Sequence, residues 1–347
     1  MDFINILKKH LSLYPLMKEE DIVKLAYQSA FGAAHFSGDL SATTKSIAEE
    51  MTVSKTCKTA FEDIGEAVRL ELSSPVAKAL GARLVARAFV FSAKNGNSNG
   101  KERFLRYINE ALPFANDTDA LLSLASHALN SPPSHSEIYK KEYEPHYRVI
   151  SKKYARALYA AVKIKEATEM SELPIVIAVD GPCASGKSTV ASLLSYMFDA
   201  DVIKADDFFL PPEKKTPERL SEPGGNIDRE RFECEIIRGI MSGEAFTYRA
   251  YSCFDGSFSE KAVSGGKNII VEGSYSMRPE FRKAYDICLY SDAAPEICIE
   301  RLRVRNPEKL NRFIEEWIPL ETEYFDFFGI KEAADYIIPN DITEEQI

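Results

Sequence analysis

The chain has 347 residues, 45% of them hydrophobic and 28% charged, and a formal net charge of −10, which is ordinary globular composition with room for about two domains. No apolar run approaches the roughly 18 residues of a membrane span, and the opening MDFINILKKH lacks the apolar stretch and small-residue cleavage site of a signal peptide, so a soluble, cytoplasmic protein is expected. Six cysteines, at 57, 183, 234, 253, 288 and 298, form no CxxC pair and lie beside no histidine cluster, which argues against a zinc site or a disulfide framework. Residues 1–170 hold 23 Lys+Arg against 20 Asp+Glu, whereas 171–347 hold 20 against 33, and an acidic half of this kind argues against nucleic acid as its partner.

Up to about residue 166 the apolar spacing is helical. Val76, Leu80, Leu84 and Ala88 recur every four residues beside Val85 and Phe89, and the run stops at the loop-like NGNSNG of 95–100. A second helix is expected from Asp117 or Thr118, either of which can cap TDALLSLASHALN, and it must end before Pro132-Pro133. A third should run from Ser151 with Tyr154, Leu158 and Val162 on one face. No β-alternating run competes, so residues 1–170 are expected to form an all-helical (all-α) domain. Within it, FGAAHFSGD around His35 and SEIYKKEYEPHYRVI around His146 and Arg148 mix residue types that could line a site or simply be structural.

After EATEMSEL, polar enough for a linker, the texture changes. PIVIAVD (174–180), Val202-Ile203, NIIVEG (268–273), DICLYSD (286–292) and ADYIIP (334–339) are short apolar runs of the kind buried in parallel sheets. Helical patterns lie between them: Val190, Leu193, Leu194 and Met197; then Ile236, Ile237 and Ile240; then 295–327. Strands alternating with helices predict an α/β domain over 171–347, a parallel sheet wrapped by helices.

Directly after the first of these strands stands GPCASGKST, Gly181 to Thr189, which fits GxxxxGK[ST] and runs into a helix. Its glycines let successive N–H groups of the loop, through Ala184, Ser185 and Gly186, curl toward phosphate oxygens, and the helix N-terminus adds partial positive charge. Lys187 can reach the β- and γ-phosphates and the Ser188 hydroxyl can ligate Mg²⁺. ATP and Mg²⁺ are the expected cofactors. No guanine-reading NKxD occurs. Glu272, at the end of the NIIVEG strand, suits either a motor ATPase or a small-molecule kinase as the acid that helps hold the cation.

Taken in order, GPCASGKST, KADDFF, GGNID, YRAYSCFDG, IIVEGSY, RLRVRN and ADYIIP resemble the uridine kinase family of P-loop kinases, whose relatives include phosphoribulokinase and bacterial pantothenate kinase. The resemblance covers about 174–340 and does not touch the helical half. It implies a P-loop kinase that transfers a phosphoryl group to the hydroxyl of a small molecule. It also implies that Asp206 takes the proton from that hydroxyl, with Asp207 beside it in contact with substrate or the outer shell. Asp228 would bind substrate hydroxyls, Tyr251 would line the substrate pocket, and Arg301, Arg303 and Arg305 would form the lid. Asp228 could alternatively cap the helix that DRERFECEII begins.

The sequence departs from the family at one place. The family reads the pyrimidine with a histidine shortly after the pocket tyrosine, but Tyr251 is followed by SCFDGSF, and all five histidines lie at or before position 146. The acceptor is therefore open among a nucleoside-like molecule, a sugar and a pantothenate-like acid. An ATP-sensing module whose helical half grips a partner is the rival from another class. The insertion LPPEKKTPERLSEPGG (210–225) reads as a solvated loop or, through Lys214, Lys215 and Arg219, as a contact for an anionic substrate. Cys183 inside the loop is either buried against it or redox-sensitive. The expected partners are a small-molecule hydroxyl substrate and neither nucleic acid nor membrane, with homo-oligomer formation left open.

Overall fold

A computed structural model of the chain describes residues 2–34, 36, 38–53, 59–96 and 99–342, so the reading of His35 falls outside the described residues. Two compact units divide between Ala155 and Arg156.

In the first unit, helices span Phe3–Leu13, Glu19–Phe31, Leu40–Val53, Pro75–Lys94, Gly100–Ala111, Thr118–Ala128 and Glu137–Tyr143. The expected cap is present: Asp117 Oδ1 accepts the Ala120 N–H at 2.9 Å. The Pro75–Lys94 helix is kinked at Gly81, whose φ of 75° breaks the i, i+4 ladder, so Val85 is buried where the uninterrupted spacing pointed to Leu84.

The expectation of an exclusively helical domain needs correction. Strands β1 (Phe61–Asp63), β2 (Ala67–Glu71) and β3 (Tyr147–Ser151) form an antiparallel sheet in the order β1-β2-β3. Val68, Arg69 and Leu70 are all buried, so both faces of β2 are covered and no period-2 alternation survives in the sequence. The partner strand β3 is also far away in the chain, beyond any local pattern.

The helix expected from Ser151 is likewise two pieces. A short turn at Lys152–Ala155 ends where the units divide, and Leu158–Met170 continues as a helix of the second unit, packed against strands of its sheet. The polar EATEMSEL is thus mostly helix end.

The second unit is an α/β P-loop fold. Strands β4 (Val176–Asp180) and β5 (Ala200–Lys204) precede an antiparallel hairpin of β6 (Phe246–Tyr251) and β7 (Phe258–Val263). Strands β8 (Asn268–Glu272), β9 (Ile287–Ser291) and β10 (Tyr336–Ile338) complete a five-stranded sheet in the order β10-β9-β4-β8-β5, parallel at every pairing. All five apolar runs read from the sequence are strands of this sheet. Val190, Leu193, Leu194 and Met197, on the helix Lys187–Phe198, are buried, as are Ile236, Ile237 and Ile240. In β4, β8 and β5 the carboxyl ends lie side by side, because Glu272 pairs in register with both Val179 and Lys204. That edge is where open parallel sheets bind ligands.

Candidate functional site

The loop after β4 is shaped by two glycines with positive φ. Gly181 has φ 140°, and a Cβ there would stand 2.4 Å from the Ser291 carbonyl oxygen. Gly186, at φ 94°, is the N-cap residue of the Lys187–Phe198 helix, and a Cβ on it would meet Arg156 Nη2 at 2.7 Å. Ala184 is held at φ 58°, a left-handed conformation that a non-glycine residue adopts at some cost. The sequence therefore folds into a strand, a tight loop and a helix start, and in this structure the Gly181, Cys183 and Ser185 N–H groups are bonded to Asp180, Glu321 and the Pro182 carbonyl.

Lys187 is buried, and its ammonium donates to the carbonyls of Gly181 (2.8 Å) and Pro182 (2.9 Å) and to Ser274 Oγ (3.2 Å). Among the described residues no carboxylate lies within ion-pair distance of it. A buried cation with only neutral acceptors is incompletely compensated, and an anion bound in the loop would complete it.

Ser188 Oγ donates to Glu272 Oε2 at 3.2 Å, at the end of β8. Burial raises the Glu272 pKa, and the neighbouring charge of Asp206 raises it further, while Lys187, Ser188 and Lys204 oppose the shift. Among the described residues there is no cluster of three or more His, Cys, Asp or Glu able to cage a metal by itself. The donor set suits Mg²⁺ nonetheless: a hydroxyl and a carboxylate, with remaining positions for water and phosphate oxygens.

The turn after β5 explains the sequence KADDFF. Phe208 is fully buried, edge-on to Phe232 with ring centroids 4.9 Å apart and stacked near Tyr248 at 5.7 Å; the Arg231 guanidinium covers it at 4.0 Å. Burying that ring contributes about 2–3 kcal/mol and fixes the one-turn 3₁₀ segment Ala205–Phe208. The two acids then diverge. Asp207 accepts Lys261 Nζ at 2.8 and 3.0 Å and the Tyr248 hydroxyl at 3.1 Å, and its carbonyl accepts Arg231 Nη2 at 2.8 Å. The Asp206 carboxylate has no protein hydrogen-bond donor among the described residues. Water reaches it, yet the protein crowding it raises its pKa; Asp207 adds to that, and Lys187, Lys204 and Arg305 pull the other way.

Other sequence-derived candidates occupy more varied positions. Asp228 is buried, accepts the Arg231 N–H at 3.2 Å as the N-cap of a short helix, and pairs with Lys214 at 2.9 Å. Tyr251 ends β6 with its ring 5.2 Å from Phe258. Arg301 donates to the Ala184 carbonyl (3.0 Å) and to Asn340 (2.9 Å), so it grips the outside of the loop; Arg305 bonds Asn306 and lies close enough to lower the pKa of Asp206. Arg303 pairs with Glu300. Thr189, on the first turn of the helix Lys187–Phe198, is half-buried. In the insertion, Arg219 bonds Glu230 and the carbonyls of Gly225 and Ile227, so it holds the loop together, while Lys215 is exposed. Burial pushes the Cys183 thiol pKa well up, aided by Glu321, which keeps the thiol protonated.

Four residues of the site escaped the sequence reading. Glu321, buried on the helix Ile318–Phe328, accepts the Cys183 N–H at 2.7 Å and the Ser274 hydroxyl at 2.8 Å. Ser274 Oγ also lies 3.1 Å from the Gly181 carbonyl oxygen. Arg156 is buried and donates to the Ser185 carbonyl at 2.9 Å, Ser291 Oγ at 3.0 Å and the Pro339 carbonyl at 2.9 Å, bracing the loop from beneath. Asp180, fully buried at the end of β4, accepts the N–H of Gly181 (2.7 Å), the N–H of Met277 (2.9 Å) and the Tyr324 hydroxyl (2.9 Å). Ser274 follows Glu272-Gly273 and was within reach of the motif. Arg156, in the turn before the helix Leu158–Met170, and Glu321, on the helix Ile318–Phe328, are distant in the chain and leave no local signal.

No family model and no curated protein matches the sequence. Among solved structures, a Bacillus stearothermophilus protein provisionally described as a uridine kinase is similar at 20% identity, over 51% of this chain and 99% of its own, with a TM-score of 0.39. A Silicibacter protein provisionally described as a fructose transport system kinase is similar at 17% identity, over 50% of this chain and 97% of its own, with a TM-score of 0.41. The chemistry of the site is therefore read from its own residues.

Proposed function

We propose that the unit spanning residues 156–341 is an ATP-dependent kinase that transfers the γ-phosphoryl group to a hydroxyl of a small polar molecule. The observation that carries this reading is the asymmetry of Asp206 and Asp207 at the carboxyl edge of the sheet. One acid is fully engaged by the protein; its neighbour is left without a donor, beside the phosphate loop and the Ser188–Glu272 pair.

In this reading the loop amides and Lys187 bind the triphosphate, and the ammonium exchanges its carbonyl partners for phosphate oxygens. Ser188 and Glu272 would hold Mg²⁺, which when bound neutralises phosphate charge. Asp206 accepts the proton of the acceptor hydroxyl as its oxygen bonds the γ-phosphorus; the bond from that phosphorus to the bridging oxygen breaks, and ADP leaves with the electron pair. Arg305, and Arg301 through its grip on the loop, supply positive charge around the transferring group.

The acceptor is the finer part of the proposal. Lys204 and Arg305 influence Asp206, and Lys215 and Lys309 influence Cys253, which itself feels Asp206. Glu213 and Asp255 act likewise on Tyr251, so the charges around these residues do not select among a nucleoside-like molecule, a sugar and a pantothenate-like acid. The test is ADP release by the full chain across nucleosides, sugars and hydroxy acids. Turnover stimulated by one acceptor and abolished by Asp206→Asn supports the reading. ATP binding without turnover across the whole panel, with a partner protein retained only in ATP, supports an ATP-sensing module instead.

A further inference from the structure

The first unit contains a cleft of about 530 Å³ whose lining includes Lys24, Gln28, Phe89, Lys140, His146 and Tyr147. That volume is in the range of small-molecule sites. Its floor is the end of a buried polar chain in which every link is made. Arg69 donates to Gln28 Oε1 at 3.0 and 2.9 Å, and Gln28 Nε2 donates to the Tyr147 hydroxyl at 3.2 Å. Tyr147 and His135 Nε2 are 2.7 Å apart, and His135 Nδ1 lies 2.8 Å from Asp21 Oδ1. Desolvation lowers the His135 pKa to about 4, so the imidazole is neutral and passes the hydrogen-bond direction from Tyr147 to Asp21. Such a network is costly to bury and confers rigidity only when complete.

Among the charged side chains lining the cleft, the cations Lys24, Lys140 and Arg148 outnumber the carboxylates Glu50 and Glu144. Asp21 is committed to His135, to the Ser136 N–H and hydroxyl and to the Lys18 N–H. Glu50 is held bidentately by Arg148 at 2.6 and 2.9 Å, and Glu62 by Arg69 at 2.8 Å. Lys24, half-buried, donates to the Pro133 carbonyl at 3.0 Å, and no carboxylate among the described residues lies within ion-pair distance of it. Lys140 pairs at 2.7 Å with Glu137, but that partner is 91% exposed and the pair is worth little. Burial, with repulsion from Arg69 and Lys140, lowers the Lys24 pKa to about 8 against the opposing charge of Asp21, and both lysines line the same cleft. Beside them Phe89 offers an aromatic wall.

We propose that this cleft is a binding site for a small phosphate monoester, its dianionic head between Lys24 and Lys140 and its apolar body against Phe89. Nothing in this inference depends on the second unit being a kinase. The test is calorimetric titration of the full chain with phenyl phosphate, with benzoate as the monoanionic comparator of similar body. Saturable binding of phenyl phosphate, weakened at least tenfold by Lys24→Met and again by Lys140→Ala, is the expected result. Lys140 is half exposed, so its variant keeps the test intact should Lys24→Met fail to fold; circular dichroism and a melting curve check both. Lys187→Ala separates the two phosphate sites: binding abolished by that change and indifferent to Lys24 would overturn the proposal. So would benzoate binding as tightly as phenyl phosphate, or no saturable binding at all.

Discussion

The carboxylate of Glu321 accepts the main-chain N–H of Cys183 at 2.7 Å, which puts an acid from the helix Ile318–Phe328 onto an amide of the phosphate loop. Its other oxygen takes the hydroxyl of Ser274, which in turn accepts from Lys187. A negative charge so placed opposes an incoming triphosphate while it orders the loop. Glu321→Gln keeps an acceptor for one of these donors and removes the charge. The carboxylate is buried, so the repulsion removed exceeds the roughly 1 kcal/mol of two charges 4 Å apart in bulk water, and ATP should bind at least about fivefold tighter in the variant. Fluorescence titration with a nucleotide analogue reads this directly. Equal or weaker binding would show that the phosphates do not approach this carboxylate.

The neighbouring acids give opposite expectations. Asp206→Asn should lower kcat by at least a hundredfold while leaving the KM for ATP within about twofold, because a general base contributes to the chemical step and not to nucleotide binding. Asp207→Asn should lower kcat by less than tenfold and instead reduce stability by about 1 kcal/mol, since the amide oxygen can still accept from Tyr248 while Lys261 loses its charged partner. Crowding raises the Asp206 pKa, so the acid limb of the pH profile should lie above the roughly 3.9 of an ordinary aspartate. Lys204 opposes that shift, and Lys204→Met should therefore move the limb to higher pH. A limb that moves down, or a Asp207→Asn enzyme as inactive as Asp206→Asn, would reverse the assignment.

Much of the second unit was legible because its central strands β4, β8 and β9 are buried on both faces and bounded by turn chemistry: continuous apolar runs, a glycine loop, then a helix. The KADDFF turn could be located but not resolved, since only the tertiary contacts of Tyr248, Lys261 and Arg231 distinguish Asp207 from Asp206. Arg156 and Glu321 were illegible for a different reason. Each reaches the loop from a separate element, and a buried arginine satisfied by three neutral acceptors looks in sequence like any helix-surface arginine. In the first unit, β2 hid because burial of Arg69 on one face and Val68 and Leu70 on the other erased the alternation that marks a half-exposed strand.

The Ser188–Glu272 hydrogen bond predicts a metal phenotype. Glu272→Gln keeps the size of the side chain and its bond to Ser188 while losing the charge that would attract the cation. The Mg²⁺ concentration for half-maximal rate should rise about tenfold, with the maximal rate at saturating Mg²⁺ falling less, because the lost charge weakens cation binding more than the chemical step. Ser188→Thr, which retains the hydroxyl, should behave nearly as the parent, and Ser188→Ala should resemble Glu272→Gln. A rate curve for Glu272→Gln that superimposes on the parent's would remove Glu272 from the cation site.

Asp180 predicts a pH dependence of stability of unusual sign for a carboxylate. Burial raises its pKa from 3.8 to about 6, against the pull of the Met277 and Gly181 amides, Lys187 and Tyr324. Between those two pH values the folded chain retains a proton that the unfolded chain has released, so this group's contribution falls as pH rises from about 4 to about 6 and is constant beyond. A shift of about two units corresponds to roughly 3 kcal/mol. Asp180→Asn carries no charge at any pH and escapes this loss, although it forfeits one of the three hydrogen bonds the carboxylate accepts. The variant should therefore be less stable than the parent at pH 4 and gain on it by up to about 3 kcal/mol at pH 7, measured as the difference between urea unfolding curves at the two pH values. A difference that stays constant from pH 4 to pH 7 would mean that Asp180 titrates alike in both states and that its burial is fully compensated by the loop amides.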